Sequence, residues 1–297
     1  LEENVTPDDA ILAWPGTEDL VLSPQTVAAD SLQERLEAAA AAGFTRIGLR
    51  PADYEAATVD DARLLQTMEG LGLTLVELTA LGGWGESGEA GRRSRLDEER
   101  FYRMATALGG EYMVVYGDLD GTPEMAVERY GALCDRAAPY GITVALEFAP
   151  FTDVGDAEVA GSIVAAAGRP NAGVLVDTWH HFRGAADARM LRSLPPASIV
   201  AVHIDDGPEQ PVGEMWEETT TARLLPGEGS FGVAPTLATL AAHGVRAPIA
   251  VEVLSDHLRT LTAAESSALA FGSSVEVVAE AGRLSADTDQ QEPGGDR

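Results

Sequence analysis

Apolar residues recur along this chain in two alternating rhythms. Short runs of Val, Ile, Leu and Ala, bounded by Gly, Pro or charged residues, predict strands over 20–22, 44–49, 73–78, 112–116, 142–148, 173–177, 199–204 and 248–253. Between them apolar positions fall three and four residues apart and predict helices over 30–42, 60–71, 96–108, 123–138, 156–167, 185–193, 234–242 and 262–282. In the first of these helices Leu32, Leu36, Ala39 and Ala40 share a face, and Gly43 is placed to cap the C-terminus. Eight strands alternating with eight helices argue for parallel pairing and right-handed crossovers. That number points to a closed barrel rather than an open sheet, so the fold class is α/β, a single (β/α)8 TIM barrel. No Gly-x-Gly-x-x-Gly follows the first strand, which weakens a dinucleotide-binding alternative.

Three segments break the rhythm. Residues 1–18, acidic and carrying Pro7 and Pro15, read as an N-terminal arm to a catalytic barrel over 19–284. Residues 285–297 are mostly polar, with Pro293, Gly294 and Gly295, and read as a disordered acidic tail. The Gly-rich stretch 82–88, running on to Arg92 and Arg93, reads either as a mobile loop over a site or as an exposed surface loop.

The chemistry gathers in the second half of the chain. Four predicted strands in series end on a residue able to bind a metal: Glu147, Asp177, His203 and Glu252. Alternation along the strands puts Glu147 on one face with Ala145 and Thr143, Asp177 with Leu175 and Gly173, His203 with Ala201, and Glu252 with Ala250. The ligand-bearing face is mostly small, as a crowded barrel interior requires, and strand ends of such a barrel share one mouth. Three carboxylates and an imidazole converging there would repel one another strongly without a cation. A divalent ion removes that conflict, and the oxygen-rich set with a single His suits Mn²⁺, Mg²⁺ or Co²⁺ better than Zn²⁺. Taken singly, Asp177 and Glu252 could merely cap helices and His203 could be a core histidine.

Charge and composition narrow the partners. A net charge of −28, spread along the chain, repels nucleic acid and anionic membranes, so a small-molecule substrate is expected instead. All 20 basic residues are Arg, which excludes lysine Schiff-base chemistry and lysine general bases. The single cysteine, Cys134, lies in an apolar helical pattern and reads as a buried structural thiol. Neither a leader pattern nor a long apolar run is present, so a soluble cytoplasmic protein is expected.

On these residues the chain resembles the xylose isomerase-like barrel superfamily, in the sugar phosphate isomerase/epimerase branch that holds ketose 3-epimerases, inosose dehydratases and hydroxypyruvate isomerases. The resemblance spans about residues 20–282, with its specific motifs within 147–252. Glu147, His203 and Glu252 match the family's ligand residues, and Asp177-Thr-Trp-His180 resembles its Asp-x-x-His, in which the Asp binds metal and the His contacts substrate oxygens. Arg223-Leu-Leu-Pro-Gly-Glu-Gly229 resembles the epimerase loop whose Arg reaches a substrate hydroxyl. The superfamily's trinuclear zinc endonuclease needs histidines on early strands, and this chain has none before His180, so one metal is implied.

What the resemblance implies is a metal-dependent isomerase or epimerase of a small polyhydroxylated carbonyl compound, with Glu147 and Glu252 as base and acid through an enediolate. A dehydratase on the same scaffold, with His180 as a plausible acid, is the second expectation; a non-catalytic sugar-binding barrel or a subunit of a larger complex is the third. A homodimer or homotetramer is the expected assembly. Weaker candidates are Glu77, for a substrate hydroxyl; Asp205, as support behind the metal or as plain loop; His181, at the mouth; and Trp84, Trp179 and Trp216, as water shields.

Overall fold

A computed structural model describes residues 14–291, with side chains placed through residue 285. Eight parallel strands close into a barrel in sequence order: β1 (Leu20–Leu22), β2 (Arg46–Leu49), β3 (Thr74–Leu81), β4 (Tyr112–Val115), β5 (Thr143–Glu147), β6 (Ala172–Asp177), β7 (Ile199–Ile204) and β8 (Ile249–Val251). The ring closes where Leu20, Val21 and Leu22 pair with Ile249, Ala250 and Val251. Long helices cover the outside, and their caps are written locally. Ser31, Asp60, Thr122 and Asp156 each accept a backbone N–H at a helix start, and Gly43 ends the first helix at φ 114°. Among the described residues no helix is long and apolar enough to cross a membrane.

Strand alternation divides the apolar residues into two cores. Val21, Val76, Tyr112, Val114, Ala145, Leu175, Ala201 and Ala250 fill the barrel interior, and the larger cluster packs between strands and helices. Ala145, Leu175, Ala201 and Ala250 therefore lie on the inner face, as the alternation predicts. Cys134 is buried and free, and burial pushes its thiol up to about 12.

Several boundaries differ from the sequence expectation. The helix expected from residue 96 starts at Gly88, so Arg92 and Arg93 belong to its first turns rather than to a loop. The third strand runs on to Leu81. The last helix spans Ala263–Gln291, past the boundary expected at 284. Residues 1–13 of the expected arm and 292–297 of the expected tail lie outside the described residues.

Candidate metal centre

The ends of β5, β6, β7 and β8 bring Glu147, Asp177, His203 and Glu252 together, with one ligand atom from each within 4.8 Å of the others. Atoms on opposite sides of an ion with bonds of about 2.0–2.4 Å lie roughly 4–5 Å apart, so the cluster has the span of one cation. All four residues are buried. His203 Nδ1 lies 3.3 Å from Glu252 Oε2, 3.8 Å from Glu147 Oε1 and 4.0 Å from Asp177 Oδ2. Both His203 Nδ1 and Glu147 Oε1 lack a hydrogen-bond partner. Buried polar atoms rarely stay unpaired, and two facing the same point among carboxylates fit a divalent cation.

The electrostatics carry the same strain. Burial, then the nearby Glu252 and Asp177 charges, push the Glu147 carboxyl well above the usual carboxylate range. Burial also opposes ionisation of Glu252, but the neighbouring His203 and Arg223 outweigh it and hold that carboxyl at about 2. His203 itself is raised well above an ordinary imidazole: burial opposes the charge, and Glu77 and Glu252 more than offset it. Protein charges alone thus push the two carboxyl pKa values in opposite directions.

Asp177 serves two purposes. Its Oδ1 accepts from His180 N at 2.8 Å and caps the short helix Thr178–Arg183, while Oδ2 lies 3.0 Å from Arg223 Nη1. The capping alternative was therefore correct as geometry and leaves one oxygen for the cluster. Asp205 lies behind it, bound to Trp179 N and to Thr178 Oγ1 and Arg223 Nη1. Burial and the Asp177 charge push the Asp205 carboxyl well up.

Above the cluster is a cavity of about 360 Å³, lined among others by Gln25, Arg50, Thr79, Tyr116, Phe151, His180, Trp216 and Arg223. His180 faces it, with Nε2 3.7 Å from Glu147 Oε1; burial lowers its imidazole to about 4. Phe151 packs edge-on between His180 and Trp216 and forms one wall. Arg223 reaches the cavity with most of its guanidinium already engaged, by Asp177, Asp205, Glu252 O and Thr219.

Several sequence expectations need correcting. Glu77 is fully buried below the cluster and does not line the cavity; Ser23, Tyr112 and His203 occupy its oxygens, so it has no reach to a substrate hydroxyl. Leu75, two residues before it, belongs to the outer core, because β3 carries Val76 as an extra residue against β2, which breaks the alternation. Trp179 is fully buried, packed under Arg223 and edge-on to His180, and does not contact the cavity. Trp84 and His181 are also away from it; of the tryptophans considered, Trp216 alone lines the mouth.

Sequence reasoning missed the first-half contacts. Gln25 Nε2 donates to Glu252 Oε1 at 3.1 Å, and Ser23 Oγ lies 3.3 Å from the same oxygen. Both follow β1 directly, so the strand-end argument would have found them had it been extended to all eight strands. Asp206 was missed too: its carboxylate accepts from Gly227 N at 3.1 Å and Phe231 N at 2.9 Å and pins the loop after Arg223.

Comparison with known proteins supports this architecture. The chain is 29% identical over 242 residues to the 3-dehydroshikimate dehydratase of Pseudomonas aeruginosa, covering 77% of this chain and 37% of that protein. It is 30% identical over 179 residues to the inosose isomerase of Bacillus subtilis, covering 60% of this chain and 62% of that one. It thus spans less than two thirds of either relative. The crystal structure of the IOLI protein with a bound zinc atom superposes with a TM-score of 0.79 at 25% identity, over 88% of this chain and 98% of that one. The structure of L-ribulose 3-epimerase shares the fold, with a TM-score of 0.70 at 19% identity over 94% of this chain and 99% of the other. A family model matches residues 36–274, and the chain belongs to the xylose isomerase-like TIM barrels.

Proposed function

We propose that this barrel is a divalent-metal-dependent isomerase or epimerase acting on a small polyhydroxylated carbonyl compound. The observation that carries the reading is the pair of unpartnered, buried atoms, Glu147 Oε1 and His203 Nδ1, inside a cluster of three carboxylates. Glu147, Asp177, His203 and Glu252 would hold the ion, which when bound would polarise a substrate carbonyl and acidify the neighbouring C–H. Mn²⁺, Mg²⁺ or Co²⁺ suits the donor set, and Zn²⁺, present in the related IOLI structure, is the competing ion.

Glu147 and Glu252 then move the proton. One carboxylate oxygen removes it from the carbon beside the carbonyl, leaving an enediolate on the substrate. The other glutamate returns a proton to the opposite face in epimerisation, or to the neighbouring carbon in isomerisation. The opposite directions in which their surroundings push the two carboxyl groups support that division. His180 presents a neutral imidazole at the cavity wall, suited to hydrogen-bonding a substrate oxygen. Phe151 and Trp216 wall one side of the cavity.

The second reading is a lyase: the same proton is removed and a β-hydroxyl leaves as water. Similarity to a 3-dehydroshikimate dehydratase over 77% of the chain favours it. A neutral His180 counts against it, because expelling hydroxide calls for a protonated acid. A deuterium wash-in screen over ketoses, inososes and hydroxy-keto acids, with Mn²⁺ present, tests both readings. Exchange without loss of water supports the isomerase, exchange with dehydration supports the lyase, and no exchange across the panel rejects the proton-transfer chemistry.

A further inference from the structure

Glu77 joins the two halves of the barrel beneath the cluster. Its Oε1 accepts from Ser23 Oγ at 2.8 Å, and its Oε2 lies 2.8 Å from both Tyr112 Oη and His203 Nε2. A carboxylate removed from water needs such partners, and hydroxyls alone would serve. Here one partner is the far ring nitrogen of a candidate metal ligand, whose near nitrogen, Nδ1, is unpartnered and faces Glu252, Glu147 and Asp177. The backbone is shaped for this contact. Val76 is the extra residue of β3, and a Cβ on Gly48 of β2 would come within 2.6 Å of Glu77 Oε1.

We propose that Glu77 is a positioning residue for the metal centre: its carboxylate accepts the Nε2–H of His203, fixes the ring and leaves the Nδ1 lone pair aimed at the cation. A neutral imidazole carries one N–H, and a carboxylate that only accepts selects the form with that proton on Nε2. Carboxylates behind metal-binding histidines orient the ring and raise its basicity. Ser23 extends the support to Glu252, since its hydroxyl lies between Glu77 Oε1 and Glu252 Oε1.

The inference rests on the cluster being a metal site, and the test separates the two. Co²⁺ titration of metal-free protein, followed by visible absorbance, reads affinity and ligand geometry together. Glu77→Gln should bind Co²⁺ roughly 10–100-fold more weakly, with a shifted ligand-field band. Tyr112→Phe keeps the charge but removes one hydrogen bond from Glu77; it should lose a few-fold, and it covers failure of Glu77→Gln to fold. In Zn²⁺-loaded, ¹⁵N-labelled protein the chain's 5 histidines keep the imidazole spectrum assignable, and His203 should carry its proton on Nε2. Parent-like affinity and spectrum in the variants overturn the positioning role alone; a proton on Nδ1 overturns it together with Nδ1 as the ligand atom of His203. Absence of Co²⁺ binding by the unaltered protein overturns the metal site and this role with it.

Discussion

The two halves of the barrel contribute different things to one site. Strands β5–β8 end on the four charged or imidazole groups, and all five histidines lie in that half. Strands β1–β4 contribute none of the four; they bring Ser23, Gln25, Glu77 and Tyr112, which hold the others in place. The two glutamates show what this means. Glu252 is at the seam where β8 meets β1, and Gln25 and Ser23 reach its Oε1. Glu147, three strands away around the barrel, has no such support, and its Oε1 has no hydrogen-bond partner. One glutamate is held and the other is comparatively free, and their carboxyl pKa values move in opposite directions.

The largest test of that contrast is Glu147→Gln. It should cut substrate deuterium exchange by about 10²–10⁴-fold while leaving the far-ultraviolet circular dichroism unchanged. A loss below tenfold would remove Glu147 from proton transfer.

The metal itself comes next. Mn²⁺ at about 100 times its dissociation constant should stabilise the chelated protein by about 2.7 kcal/mol, read as a rise in Tm of several degrees. An unchanged Tm and no bound ion by elemental analysis would leave the cluster without a cation.

The acid side of the stability curve probes His180. Its imidazole titrates at 6.5 when unfolded and is lowered to about 4 by burial in the metal-free fold. Between these values the unfolded chain binds the extra proton, so this group's contribution is present above pH 6.5 and is lost as pH falls toward 4. The shift corresponds to about 3 kcal/mol at most, and His180→Gln should flatten the urea-derived stability profile of metal-free protein over that window.

Gly48→Ala should be the mildest, and it acts from the first half. Its Cβ would press on Glu77 Oε1 at 2.6 Å and Pro24 Cδ at 2.9 Å, costing about 1–3 kcal/mol of stability. It should also weaken Mn²⁺ binding, measured by calorimetry; unchanged affinity would separate the first half from the centre.

Fold and the four-residue cluster were legible in the chain for physical reasons. A parallel strand buried on both faces reads as an uninterrupted Val, Ile, Leu and Ala run, and a polar residue at its end stands out, as at Glu147, Asp177 and His203. Glu77 stood out as a candidate but was misread as substrate-facing, because its depth depends on the extra residue at Val76 and the missing Cβ of Gly48. Trp179 was misjudged for a similar reason: it lies on a short helix whose pitch turns it under Arg223.

The sequence by itself determined the barrel, the inner face of its ligand-bearing strands and the four residues that meet at its mouth. Each follows from local periodicity, which a parallel barrel converts directly into position. Only the tertiary structure decided which oxygen of each glutamate is held, which nitrogen of His203 faces the cluster, and that Glu77 supports His203 instead of reaching the cavity. Those outcomes depend on contacts as distant in sequence as Ser23 with Glu252, brought together only when β8 closes on β1.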